Sequence, residues 1–199
     1  MCDALNKACF LMCFTCMIIL SLGLIIASLP LVWLDGNISL VGTSVGSTKV
    51  TLTHIKFDVG SSAVSVEKSY KIKDYCDSGF DSSFACKLYK GSDTLITLTT
   101  FGLVCLIAFG ITVFVNVCSK MKKGSFRFKL FYVLISLAQL ILFVVPFVVY
   151  SVVAEDAKDK GLEYGIGWIL YLVGLVISGL STLCALLNMS HIDNFDCCV

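Results

Sequence analysis

Eleven cysteines and two histidines carry most of the reactive chemistry in this 199-residue chain. His54 and His191 are far apart, and neither sits in an HExxH or Ser-His-Asp pattern. Cys13 and Cys16 have the spacing of a metal-binding CxxC, but they lie inside a long apolar run, and His191 is the only histidine on offer at that end. No glycine-rich phosphate loop is present. What remains for the cysteines is disulfide formation, S-acylation, or service as small apolar side chains. Which of these applies to each thiol depends on the compartment it occupies.

Composition sets that compartment. Of all residues, 57% are hydrophobic and only 15% charged, against about a quarter charged in soluble domains. Four apolar stretches, 8–34, 95–117, 130–154 and 164–189, each reach the roughly 20 residues needed to cross a bilayer. None carries a Lys, Arg, Asp or Glu, so none has the polar face of a soluble surface helix. The first stretch read as a signal peptide is too long for an h-region of about 7–15 residues, and Ala27 to Pro30 is a poor cleavage site. The expectation is therefore four membrane spans. The net charge of +1, with no basic stripe, argues against nucleic acid.

Orientation follows from the short segment 118–129, which holds Lys120, Lys122, Lys123, Arg127 and Lys129 and no acid. A loop this basic belongs in the cytoplasm. Both termini, including the tail 190–199, then lie inside, and 35–94 and 155–163 lie outside. Only Cys76 and Cys86 fall in the outside segments, so they are expected to form a disulfide. Closing that loop is worth about 2–3 kcal/mol in the chain-entropy view. Cys2, Cys9, Cys118, Cys197 and Cys198 lie near the cytosolic face, where thiols are either S-palmitoylated or left free. Cys13, Cys16, Cys105 and Cys184 read as small core hydrophobes.

The long outside segment shows two-residue alternation. Val64, Val66, Tyr70 and Ile72 share one face of a strand, and Ile55, Phe57 and Val59 share a face of another that Thr51 and Thr53 extend. Gly60-Ser61 reads as the turn between them, with further strands at 38–41 and 87–89. The predicted fold is a membrane four-helix bundle carrying a small extracellular antiparallel sheet. Asn37-Ile38-Ser39 is a glycosylation sequon, expected to be unmodified because it is so near the first span. Gly23 with Ala27, and Gly174 with Ser178, are small-xxx-small pairs that suit helix packing, within the bundle or between copies. Pro146 is expected to kink the third span, and Gln139 to hydrogen-bond between helices.

Four spans, a sheet in the first outside loop and a Cys-x9-Cys pair together resemble the claudin superfamily. Pro30 and Trp33 at the exit of the first span resemble its Pro/Trp stretch, and Lys87-Leu88-Tyr89 after Cys86 resembles the segment following its second cysteine. Where that family has Trp before the first cysteine, this chain reads Lys71-Ile72-Lys73-Asp74-Tyr75. The segment from Cys76 to Phe80, with Cys86, is also similar to that of amastins. The claudin resemblance implies cell–cell adhesion, barrier or paracellular channel formation, or membrane organisation, with copies of itself as partners. An auxiliary subunit of a channel or receptor is the alternative. Phe80 and Phe84 are the candidate contact residues between the cysteines, and Val199 is a candidate ligand for a PDZ scaffold. Besides the lipid bilayer and these proteins, no cofactor, small-molecule substrate or catalytic activity is expected. The expected location is the plasma membrane, at cell junctions.

Overall fold

The structure is a computed structural model, which describes residues 2–40, 43–61, 64–77, 82–118, 126–158 and 161–192. Four long helices dominate it: α1 (Cys2–Ser28), α3 (Ser82–Cys118), α4 (Phe126–Lys158) and α5 (Ile166–Ile192). Between α1 and α3 come strands β1 (Leu34–Leu40), β2 (Thr43–Val50), β3 (His54–Ser61) and β4 (Val64–Lys71), then the short helix α2 (Ile72–Asp77). A fifth strand, β5 (Leu162–Tyr164), precedes α5.

The packing of the helices is inverted relative to a soluble protein. Facing outward are Ile19, Phe101, Val104, Ile111, Phe131, Leu134, Ile141, Val152, Val176 and Leu183, all more than half exposed. Facing inward at 0–2% exposure are Ser21, Ser28, Ser92, Thr99, Ser136, Gln139, Ser178, Ser181 and Thr182. Large apolar side chains on the outside and small polar ones within are what a hydrocarbon solvent selects, because lipid rewards neither the burial of Leu nor the exposure of Ser. The stretches Cys86–Val115, Val133–Asp156 and Ile166–Leu187 are long and apolar enough to cross a membrane, and α1 adds the apolar run Met12–Ser28. The chain is thus a mostly helical protein of the membrane type with a β lobe at one end.

Several expected boundaries shift. The first apolar run leaves the helix at Ser28, not Leu34, because Pro30 lacks an amide to continue it, and Leu34 opens β1. Helix α3 starts well before residue 95 and takes in 87–89, expected to be a strand, since side chains there pack at helical rather than alternating spacing: Leu88, Gly91, Ser92 and Leu95 are all buried. Helix α4 runs from Phe126 through buried Pro146 to Lys158. Tyr164 belongs to β5 rather than to a span.

The five strands form one antiparallel sheet in the order β4-β3-β2-β1-β5. Val59 pairs with Val66, and Ile55 pairs with Tyr70, which places Ile55 and Tyr70 on one face as alternation predicts. Leu34, Val50 and Ile55 on that face are buried against the bundle, while Asp35, Lys49, Lys56 and Asp58 lie exposed on the other. Two turns differ from expectation. Thr51 and Thr53 do not extend β3; the Thr51 hydroxyl accepts from the His54 amide at 3.0 Å and closes a tight loop there. Gly60 and Ser61 stay in β3, paired with Ser65 and Val64, rather than forming the expected turn, and Val41 lies outside the described residues.

Candidate functional site

The best-built region is the junction of sheet and bundle, and it is organised on Trp33. Its side chain is fully buried, and its backbone amide donates to the Val50 carbonyl at 2.7 Å, starting the sheet. Its indole Nε1 donates to the Ser28 carbonyl at 2.8 Å, one of the carbonyls left over where α1 ends. One ring therefore closes a helix, and its own backbone opens a strand.

The second strand-forming loop docks on the same residue. Gly165 donates its amide to the Trp33 carbonyl and Gly167 to the Val32 carbonyl, each at 2.8 Å. Beside them β5 pairs with β1, Leu34 against Tyr164 and Gly36 against Leu162. Such approach needs glycine. A Cβ on Gly167 would stand 2.8 Å from the Trp33 ring, one on Gly165 would run into the Val32 carbonyl, and Gly161 turns the chain at φ 79°.

Aromatic rings continue inward from the junction. Tyr164 stacks on Trp168 at 4.3 Å, Trp168 meets Phe147 at 5.2 Å, and Phe147 stacks on Tyr171 at 5.3 Å. Tyr171 lies 5.5 Å and Tyr150 5.0 Å from Trp33. Edge-on and offset contacts of this kind add to simple packing. Trp168 Nε1 donates to Ser151 Oγ at 2.9 Å, and the Tyr171 hydroxyl lies 2.7 Å from Thr99 Oγ1. Sequence reasoning picked out Trp33 but missed Tyr164, Trp168 and Tyr171. Their spacing of four and three residues, with Gly165 and Gly167 between, was the available signal.

The other singled-out residues take these places. Cys76 on α2 and Cys86 on α3 form the expected disulfide, their Cα atoms 4.8 Å apart. Leu88 is buried in the core and Tyr89 packs partly against it. Lys87 is exposed and reaches Asp156 of α4 at 3.3 Å, a pair that at this exposure contributes little to stability. Pro30 is exposed at the end of α1. Asn37 is exposed on β1, opposite Ser47. Phe84 lies in the first turn of α3, and Phe80 falls outside the described residues.

The two small-residue pairs part company. Gly174 and Ser178 are buried, and Ser21 Oγ of α1 donates to the Gly174 carbonyl at 2.9 Å, so this pair packs within the bundle. Gly23 and Ala27 are exposed, and a Cβ on Gly23 would meet nothing within 4 Å. They do not serve intramolecular packing, because α1 turns Ile18, Ser21, Ile25 and Ser28 toward its neighbours and the opposite face outward. The same rotation corrects the reading of Cys13 and Cys16, which are exposed with Cys9 rather than set in the core. Cys105 and Cys184 are half-buried. Cys2 and Cys118 lie at helix ends, while Cys197, Cys198 and Val199 fall outside the described residues.

Among the described residues no cluster of His, Cys, Asp and Glu is arranged to hold a metal ion. The site thus joins a sheet with an exposed polar face to a helical bundle with an apolar outer surface. No protein-family model matches this chain, and no curated protein matches it either.

Proposed function

We propose that this chain is a claudin-like four-span membrane protein whose β lobe makes contacts between cells or between neighbouring copies. In this reading α1 is the fourth span, both termini are cytoplasmic, and the lobe is extracellular at the plasma membrane. The observation that carries it is the union of two loops in one sheet. Strand β5, from the loop before α5, extends the sheet of the loop before α3 through β1. A lobe tied to the bundle at Trp33, Gly165 and Gly167, and cross-linked at Cys76–Cys86, is held in one attitude to the membrane. Contact surfaces gain affinity from such preorganisation. The basic 118–129 segment supports the orientation. Close packing of α1 on α5 through Ser21, Ile25 and Gly174 supports its retention as a span. The reading assigns no catalytic role. Phe80, Phe84 and the tail at Val199 keep their proposed parts as contact residues and PDZ ligand.

The test is expression of the tagged protein in non-adherent cells mixed with untransfected ones. Adhesion by like copies predicts enrichment where two expressing cells touch and none where an expressing cell meets a bare one. Uniform surface distribution would sink the proposal.

An auxiliary-subunit role is the second reading, favoured by the outward face of α1 with Gly23 and Ala27. Small side chains there admit a partner helix at close range. It predicts a channel or receptor subunit that co-purifies in fixed ratio and is lost from the Gly23→Leu variant.

A further inference from the structure

Helix α5 is tied to its neighbours by polar contacts that recur every three or four residues. Trp168 bonds Ser151 of α4; Tyr171 bonds Thr99 of α3 and, at 3.4 Å, the Phe143 carbonyl of α4; the Gly174 carbonyl takes the Ser21 hydroxyl of α1. One turn beyond Ser178, Thr182 Oγ1 accepts from Gln139 Nε2 of α4 at 2.7 Å. Ser178 occupies the position between the Gly174 and Thr182 contacts. Its side chain is fully buried, yet its Oγ has no partner. Gln139, fully buried too, uses its amide nitrogen on Thr182 and leaves Oε1 without a partner.

The two residues that carry these atoms belong to one hydrogen-bonded group, linked through Thr182. Thr182 accepts the Gln139 proton and donates its own to the Ser178 carbonyl at 3.0 Å, while Ser181 Oγ donates to that same carbonyl at 2.8 Å. The Ser178 carbonyl is therefore fully used, and the spare capacity lies in the Ser178 hydroxyl and the Gln139 carbonyl oxygen. Inside hydrocarbon no bulk water reaches them, and a buried polar atom left unpaired is costly.

We infer that Gln139 Oε1 and Ser178 Oγ bind a water molecule within the bundle, which supplies the missing polar contact between α4 and α5. The chemistry selects water over other small ligands. Gln139 Oε1 needs a donor, and the Ser178 hydroxyl offers one proton and lone pairs. Water alone among common small molecules gives and takes at both ends without carrying charge or apolar bulk into the site. Two to four polar partners suffice to hold a buried water. Neither Gln139 nor Ser178 has a nearby carboxylate among the described contacts to neutralise a cation. The water donates one proton to Gln139 Oε1 and accepts the Ser178 proton, so both atoms are satisfied and no proton is transferred.

The experiment is solution NMR on the isotope-labelled full chain in lipid nanodiscs, with magnetisation transferred selectively from water to the Gln139 side-chain amide protons. A long-lived water gives a cross-peak at Gln139 in the unaltered protein. That peak is lost in Ser178→Ala and retained in Ser178→Thr, which keeps the hydroxyl. A resolved Gln139 amide with no water cross-peak in the unaltered protein overturns the proposal, whether or not Ser178→Ala folds. A cross-peak of undiminished strength in folded Ser178→Ala overturns it too. So does a shift of the Gln139 signals when sodium replaces choline at constant ionic strength, which assigns the site to a cation.

Discussion

At the scale of single residues, glycines show most sharply where this molecule is close-packed and where it is not. Gly167 and Gly174 face side chains of other elements at distances a Cβ does not tolerate, 2.8 Å from Trp33 and 2.8 Å from Ile25, whereas Gly23 faces open space. Gly174→Ala is expected to cost about 1–3 kcal/mol, the usual penalty for overpacking. Gly23→Ala is expected to stay within about 0.5 kcal/mol of the parent, as a surface substitution does. Reversible unfolding in mixed detergent micelles measures both, and equal effects would mean that α1 presents a different face. Trp33→Phe keeps an aromatic ring but gives up the bond to the Ser28 carbonyl, an expected loss of about 1–2 kcal/mol. Trp33→Ala removes the hub of the aromatic cluster and is expected to cost about 3–5 kcal/mol.

Elements explain what single residues do not. Strand β5 has three residues and no alternation long enough to announce it, so the loop between α4 and α5 reads as plain connection. It becomes a strand only because β1 offers an open edge and Gly36, which lacks a side chain, lets Gly161 and Leu162 come close. Gly36→Val should push β5 off the sheet while leaving the helices intact. Loss of amide-exchange protection confined to 162–164 and 34–36 checks it. The disulfide acts at the same scale, joining α2 to the start of α3. Cys76→Ser is expected to cost about 2–3 kcal/mol by the loop-closure argument. Limited proteolysis should then cut in the lobe before the bundle, since the disulfide constrains only the segment at the foot of the sheet. Simultaneous cutting throughout would place lobe and bundle in one cooperative unit.

For the whole molecule, solvent is the deciding quantity. The long apolar runs were legible from composition alone, because nothing but lipid accommodates so many uncharged residues in sequence. The β phase of 55–59 and 64–70 was legible as well, since alternation states directly which residues share a face. The chain is expected to stay with membranes through alkaline carbonate extraction; release into the supernatant would refute the lipid reading of its exposed Phe101, Ile111 and Leu134. Rotation of each helix about its own axis was not legible. Where every position in a span is apolar or small, period 3.6 carries little contrast, and the sequence does not mark which side meets lipid. Hence Cys13 and Cys16 were expected in the core and are found outside, and the sequence left open whether Gly23 and Ala27 pack within the bundle or between copies, while Gln139, polar enough to be placed, was expected to bond between helices and does so with Thr182.

Sequence by itself determined the solvent, the four long apolar stretches, the phase of two strands and the pairing of Cys76 with Cys86. It could do so because charge, alternation and compartment are local properties of residues along the chain. Only the tertiary structure decided that Trp33 joins helix to sheet, that a second loop completes the sheet, and that Gln139 meets Thr182 beside the unpartnered Ser178 hydroxyl. Those are contacts between segments far apart in sequence. They are selected by shape and by the need to pair every polar group away from water, and neither requirement leaves a mark on any one segment alone.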